Sequence, residues 1–213
     1  MKKILVIIIA ITFTCLIAVG CTQSDKSISN NSTDSKDPTN TTVIENPFFF
    51  KNNITQLSYH GNFSFDDVIK KEVKLNINEI AGLKYGKLYE LKLEAVDGIP
   101  DDRLQLGYFY VQKDTIYGIE PTDVTNLINN GEVPDNSVIV CQDTEIKDIL
   151  SQTELGWHHY LEVNGDKREF HSYNNQVLTG YYESFVWEKN KGLTGYRSGY
   201  GAESDSIELK RIQ

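Results

Sequence analysis

The chain has 213 residues, 30 Asp+Glu against 21 Lys+Arg for a formal net charge of -9, with 39% hydrophobic and 24% charged residues. Those proportions are ordinary for a globular protein and exclude collagen, wholesale disorder and a polytopic membrane protein. The acidic balance argues against nucleic acid as a partner, because neutralising phosphate needs a basic face, and three cysteines exclude a disulfide scaffold.

Met1, Lys2 and Lys3 make a short positive start, and residues 4–20, 17 in number, carry no charge. That length is at the lower limit for crossing hydrocarbon and is placed like the apolar region of a signal peptide. It ends Leu16-Ile17-Ala18-Val19-Gly20-Cys21. This segment resembles the lipobox of bacterial lipoproteins, in which small residues precede an obligatory cysteine; Ala18 stands where that signal most often has leucine. The resemblance implies cleavage between Gly20 and Cys21 and lipidation of the Cys21 sulfur with acyl chains such as palmitate. It also implies a place on the extracytoplasmic face of the cell membrane, in the cell envelope. Two acyl chains anchor stably where one is marginal, at about 0.8 kcal/mol per buried CH2. Cys15 leaves with the signal, so Cys141 is the one unmodified thiol, read as a small buried hydrophobe within Val138-Ile139-Val140-Cys141.

Residues 22–45 number 24, of which 13 are Ser, Thr or Asn. Such a stretch cannot bury enough surface to offset its ordering entropy, so it reads as a disordered tether. As a flexible coil it reaches about 25–30 Å. Residues 46–213 then form one domain, large enough to bury about 70% of its unfolded surface.

Within the domain the dominant period is two. Tyr89, Leu91, Leu93 and Ala95 fall on one face of a strand, with Glu90, Lys92 and Glu94 on the other. Leu104, Leu106, Tyr108 and Tyr110 repeat the pattern, and Lys113-Asp114 turns the chain into residues 115–119. Two short helices are expected next. Thr122 caps one carrying Val124, Leu127 and Ile128; Asp143 caps a second carrying Ile146, Ile149 and Leu150. Strands resume over residues 157–163, 166–173, 180–188, 193–200 and 206–212. Asn164-Gly165 is a strong hairpin signal. Lys189-Asn190-Lys191-Gly192 reads as a longer hairpin loop with Gly192 at positive φ. The fold class is therefore mainly β, an antiparallel sheet of about eight to ten strands with two short helices; barrel, half-barrel and sandwich all satisfy the periodicity. Residues 187–196, Trp187-Glu188-Lys189-Asn190-Lys191-Gly192-Leu193-Thr194-Gly195-Tyr196, resemble the closing hairpin of many uncharacterised bacterial lipoproteins. Some of these are half-barrels, which implies a lipid or other hydrophobic ligand.

Three constellations bear on chemistry. With Asn164-Gly165 as the turn, His158 faces His171, Tyr160 faces Glu169 and Glu162 faces Lys167 on one face. His158, His171 and Glu169 then offer N, N, O ligation to a transition metal; a solvated polar face is the plainer expectation, and no cofactor is expected. His159 falls on the opposite face as a core-edge residue. Aromatics concentrate late in the chain, and Tyr160, Tyr181, Tyr182, Trp187, Tyr196 and Tyr200 are the candidates for a binding surface. The adjacent Tyr181 and Tyr182 must point to opposite faces. Asp97, Asp101 and Asp102, and the glycine-rich residues 197–205, read as turns. No catalytic motif is present, so no catalytic residue is assigned. The expectation is a non-catalytic, membrane-anchored domain binding a small ligand or an envelope protein. The alternatives are a half-barrel carrier or sensor of a hydrophobic ligand, and a secreted hydrolase.

Overall fold

The computed structural model describes residues 45–151, 153–201 and 205–213. The chain divides between Thr41 and Thr42, and the described residues all belong to the second unit. The expected signal, Cys21 and most of the tether lie outside them.

The domain is mainly β, as the period of two predicts. Its elements are β1 (Gln56–Ser64), β2 (Val68–Leu83), β3 (Gly86–Leu93), β4 (Gln105–Gln112), β5 (Thr115–Ile119), α1 (Val124–Asn130), β6 (Val138–Gln142), β7 (Trp157–Asn164), β8 (Lys167–Asn174), β9 (Tyr181–Glu188), β10 (Gly192–Tyr200) and β11 (Ser206–Arg211). A 3-10 turn spans Asp101–Leu104, and another leads into α1. No described helix is long and apolar enough to cross a membrane.

All eleven strands form one antiparallel sheet in the order β6-β5-β4-β3-β2-β1-β11-β10-β9-β8-β7. Two meanders of consecutive hairpins are joined where β1 pairs with β11. The sheet curls until its two edges nearly meet, giving a barrel-like ring. Ile146, just beyond β6, makes an isolated bridge to Leu161 on the free edge of β7, with both backbone hydrogen bonds formed at 2.9 and 3.1 Å. Arg168 of β8 reaches across the same seam, donating from Nε to the Gln142 carbonyl at 2.8 Å.

The second helix expected from Asp143 is absent, and this closure is the reason. Ile146, Ile149 and Leu150 have helical spacing, but Ile146 is extended in the bridge and Ile149 is exposed. An unpaired strand edge offers two backbone hydrogen bonds at once, while a lone helical turn carries a nucleation cost.

Inward-facing Tyr59, Val73, Leu75, Leu91, Phe109 and Phe185 build the main core. A second cluster of Leu88, Tyr110, Ile119 and Leu127 lies on the outer face, where α1 covers the sheet. The shared face expected for Leu104, Leu106, Tyr108 and Tyr110 is therefore split. Gly107 sits at φ +135 beside a bulge against β3, so Leu104 and Leu106 join the main core while Tyr108 and Tyr110 join the outer cluster.

One end of the barrel is stoppered by the segment before β1. Phe49 packs on Tyr89 and Trp187 at 4.6 and 5.9 Å between ring centroids, and Phe50 meets Trp187 at 6.3 Å. Phe48 lies under the Arg168 guanidinium at 4.4 Å. Burying each ring stabilises the closed end by roughly 1.5–3 kcal/mol. The other end, at the starts of β4 and β9, carries the feature described next.

Candidate functional site at the open end of the barrel

The β9 register sets the site. Tyr181, Glu183, Phe185 and Trp187 alternate onto the inner face, and β10 brings Tyr200, Ser198 and Tyr196 opposite the first three. On the other side β8 places Ser172 opposite Glu183, and β7 places His159 opposite Ser172. The result is an inward polar row of His159, Ser172, Glu183 and Ser198, one residue in from the rim.

Glu183 is the centre of this row. Its Oε1 accepts from the Tyr196 hydroxyl at 3.0 Å and the Tyr181 hydroxyl at 3.2 Å. Its side chain borders a cavity of about 310 Å3 lined by Leu106, Phe109, Val140, Phe170 and Phe185, with the exposed Glu120 also in its lining. Protein atoms surround the carboxyl, yet the cavity leaves part of it open, so its exposure is intermediate. Burial pushes the Glu183 pKa up to about 7; the two tyrosine hydroxyls pull it down and Glu120 adds to the rise. The same burial holds Tyr181 and Tyr196 above the ordinary phenol value, so both remain neutral donors.

Two other hollows among the described residues are of a different kind. The cleft of about 190 Å3 beside Phe49 and Phe50 follows the edge of the aromatic stopper. The hollow of about 460 Å3 along Lys191, Lys210 and Arg211 lies among long charged side chains. The Glu183 cavity combines an apolar wall, two hydroxyls converging on one carboxyl oxygen and a carboxyl whose pKa burial raises, a combination that marks functional sites.

The outer face of β7 and β8 corrects the expected metal geometry. The turn uses Gly165-Asp166, with Gly165 at φ +57 as its first central residue, a position type II′ turns give to glycine. Asn164 therefore pairs with Lys167. His158 faces Tyr173, Tyr160 faces His171 and Glu162 faces Glu169. The two faces are unchanged, but His158 is moved away from His171. His158 is also fully buried, with Asp148 and Glu154 closed over it. Both of its ring nitrogens are engaged: Nδ1 with Asp148 Oδ2 at 2.6 Å and Nε2 with the Glu154 carbonyl at 3.0 Å. Burial lowers its pKa, and the Asp148 and Glu154 oxygens outweigh that, so the net shift is upward. His158 is a structural clasp rather than a ligand. His171 and Glu169 remain neighbours at 3.4 Å, joined by Glu162; one ligand atom from each lies within 4.8 Å of the others.

The six aromatic candidates do not share a surface. Tyr160 and Tyr182 lie on the outer face, Tyr160 stacked on His171 at 4.6 Å and Tyr182 beside Arg197. Tyr181, Tyr196 and Tyr200 face inward at the open end, with Tyr181 and Tyr200 edge to face at 5.5 Å. Trp187 is wholly buried against the stopper and presents nothing to solvent. Cys141 is a buried free thiol whose pKa burial raises. Glu183 was missed by motif reasoning. Its signal is parity: in Tyr181-Tyr182-Glu183-Ser184-Phe185-Val186-Trp187 the carboxylate alternates with three aromatics. No protein-family model, curated protein or solved structure matches this chain.

Proposed function

We propose that this protein is an extracytoplasmic lipoprotein, tethered through Cys21, whose barrel-like domain binds a small ligand in the open end around Glu183. The observation that carries the binding reading is the carboxyl set in a walled cavity of about 310 Å3 with two hydroxyls aimed at one oxygen. Roughly 300–1,000 Å3 is usual for small-molecule sites, so the occupant is small. The cavity favours this over docking through an aromatic surface, since three of the tyrosines that would form one face inward. The tether supports a place at the envelope: the lipobox-like sequence supplies an anchor and residues 22–45 a spacer.

Native mass spectrometry of the full chain purified from its envelope tests the reading. Wild type should carry a small adduct, and Val138→Phe, which fills the cavity wall, should lose it while unfolding cooperatively. No adduct in wild type, or an adduct retained by Val138→Phe, goes against it.

One observation favours a second reading, a hydrolase: Glu120 and Glu183 border the same cavity, and two carboxylates facing one space can act as acid and base. Turnover of aryl glycosides or esters that both Glu120→Gln and Glu183→Gln abolish would replace binding with catalysis.

A further inference from the structure

We infer that the ligand of the Glu183 cavity is a small organic cation, an ammonium group on an apolar or aromatic body, with Glu183 as its anchor. This rests on the binding reading above and names the chemistry of its occupant.

Charge is the first argument. The cavity lining contains two carboxylates, Glu120 and Glu183, and no Lys, Arg or His. Among the described residues Glu183 takes part in no ion pair, whereas the lining is otherwise aliphatic and aromatic. A buried carboxyl without a counter-ion is costly in the ionised form, and a cation arriving in the cavity removes that cost. Hydrogen bonding is the second argument. Both hydroxyl donors converge on Oε1, and Oε2 has no partner among the described residues, so the second oxygen is left to accept from an ammonium N–H. Shape is the third. The rings of Tyr181, Phe109, Phe170 and Phe185 border the same space, and aromatic faces attract a cation electrostatically as well as burying its hydrocarbon part. An anionic ligand would meet two like charges here. A neutral carbonyl ligand would leave the negative charge of the ionised Glu183 without a counter-ion.

The test holds size constant and varies charge. 2-Phenylethylammonium, 2-phenylethanol and phenylacetate are titrated calorimetrically into the full chain in detergent, with matched micelle blanks. The ammonium should bind at least about tenfold more tightly than the alcohol, and phenylacetate should not bind. Glu183→Gln should weaken the ammonium by at least about tenfold, the loss expected for one charge-assisted hydrogen bond, and leave the alcohol unchanged. Tyr181→Phe, which removes one donor and keeps the ring, should weaken the ammonium alone and serves if Glu183→Gln does not fold. Alcohol binding equal to or tighter than the ammonium overturns the cationic assignment while leaving the pocket intact. Failure of all three probes to bind overturns the pocket as well.

Discussion

Glu183 is where a single side chain acts against the fold that contains it. Its carboxyl has an ordinary value of 4.5 and is pushed to about 7 by burial, so the folded chain holds that proton more tightly than the unfolded chain. Stability is then fully present below about 4.5, falls as pH rises through about 7, and is flat above. Glu120, Tyr181, Tyr196 and, further along the row, His159 face the group; the tyrosines stay neutral throughout, and burial holds His159 below its ordinary value. The interval corresponds to a cost on the order of 3 kcal/mol at pH 8. Glu183→Gln should therefore gain stability over wild type on going from pH 5 to pH 8, read as a growing difference in urea midpoints; a constant difference would show that the carboxyl is not strained. The same parity argument that exposes Glu183 was available from sequence, since one polar residue among alternating aromatics must face the core they face. What sequence could not give was the cavity, because that depends on β4, β5 and β6 arriving opposite β9 after the sheet curls. His158 shows the converse. It was read as part of a solvated face, but Asp148 and Glu154 close over it, and no local pattern announces a covering loop. The Asp148 carboxyl, whose pKa lies below its ordinary 3.8, is raised by burial but lowered more by the Leu150 N–H and by His158. The clasp is thus complete between the two groups' titrations. Its Asp148 part is lost as pH falls through the lowered Asp148 value, and its His158 part is lost as pH rises from about 6.5 through the raised His158 value. Hydrogen exchange of residues 146–150, corrected for the intrinsic pH dependence, should accelerate above neutrality in wild type. Asp148→Asn should be fast at every pH, and a pH-independent, protected wild type would discount the clasp.

At the level of elements, glycine placement decides two hairpins. The β7–β8 turn was legible as a hairpin but not in register, because Asn164-Gly165 and Gly165-Asp166 are both acceptable pairs for a two-residue loop. A one-residue difference in the turn moved every cross-strand partner while keeping each side chain on its face, so the core prediction survived and the metal geometry did not. The β9–β10 loop was legible down to Gly192, which takes φ +79 as its sequence position suggested. Its second constraint was invisible: a Cβ at Gly192 would lie 2.4 Å from Cδ1 of Phe50 in the stopper. Gly192→Ala should therefore cost about 2 kcal/mol or more, from overpacking of roughly 1–3 kcal/mol together with left-handed strain of about 1–2 kcal/mol. Phe50→Leu in the same chain should recover part of that loss in a double-mutant cycle, and strictly additive effects would mean the two do not touch. Strands β1, β2 and β6 went unread for different reasons. Val73, Leu75 and Ile77 of β2 do alternate, but Lys, Glu and Asn dominate the run around them, and β6 has only five residues. Periodicity needs length and contrast, and these strands lack one or the other.

Barrel closure is a property of the whole molecule, and Arg168 holds it at one point. Its guanidinium donates to the carbonyls of Gln142 at 2.8 Å, Gly165 at 2.8 Å and Lys167 at 2.9 Å, pairs with Asp143 at 3.0 Å and covers Phe48. One side chain thus ties β6, the β7–β8 turn and the aromatic stopper together. Arg168→Met keeps the volume but strands buried carbonyls, so it should cost about 3–5 kcal/mol in urea unfolding, and Arg168→Lys should rescue little because an ammonium cannot reproduce the fork. A cost below about 1 kcal/mol would mean the Ile146–Leu161 bridge closes the seam unaided. The tether and anchor are tested by counting thiols. Cys15 would leave with the signal, a lipidated Cys21 would carry no free thiol, and Cys141 is buried with its pKa raised. Because the thiolate is the reactive form, the mature native protein should react with no thiol reagent and should show one thiol after denaturation. Labelled palmitate should enter wild type and be absent from Cys21→Ala. Two thiols on denaturation, or three, would leave Cys21 unmodified, and a ligand site at the envelope would then lack the attachment that places it there.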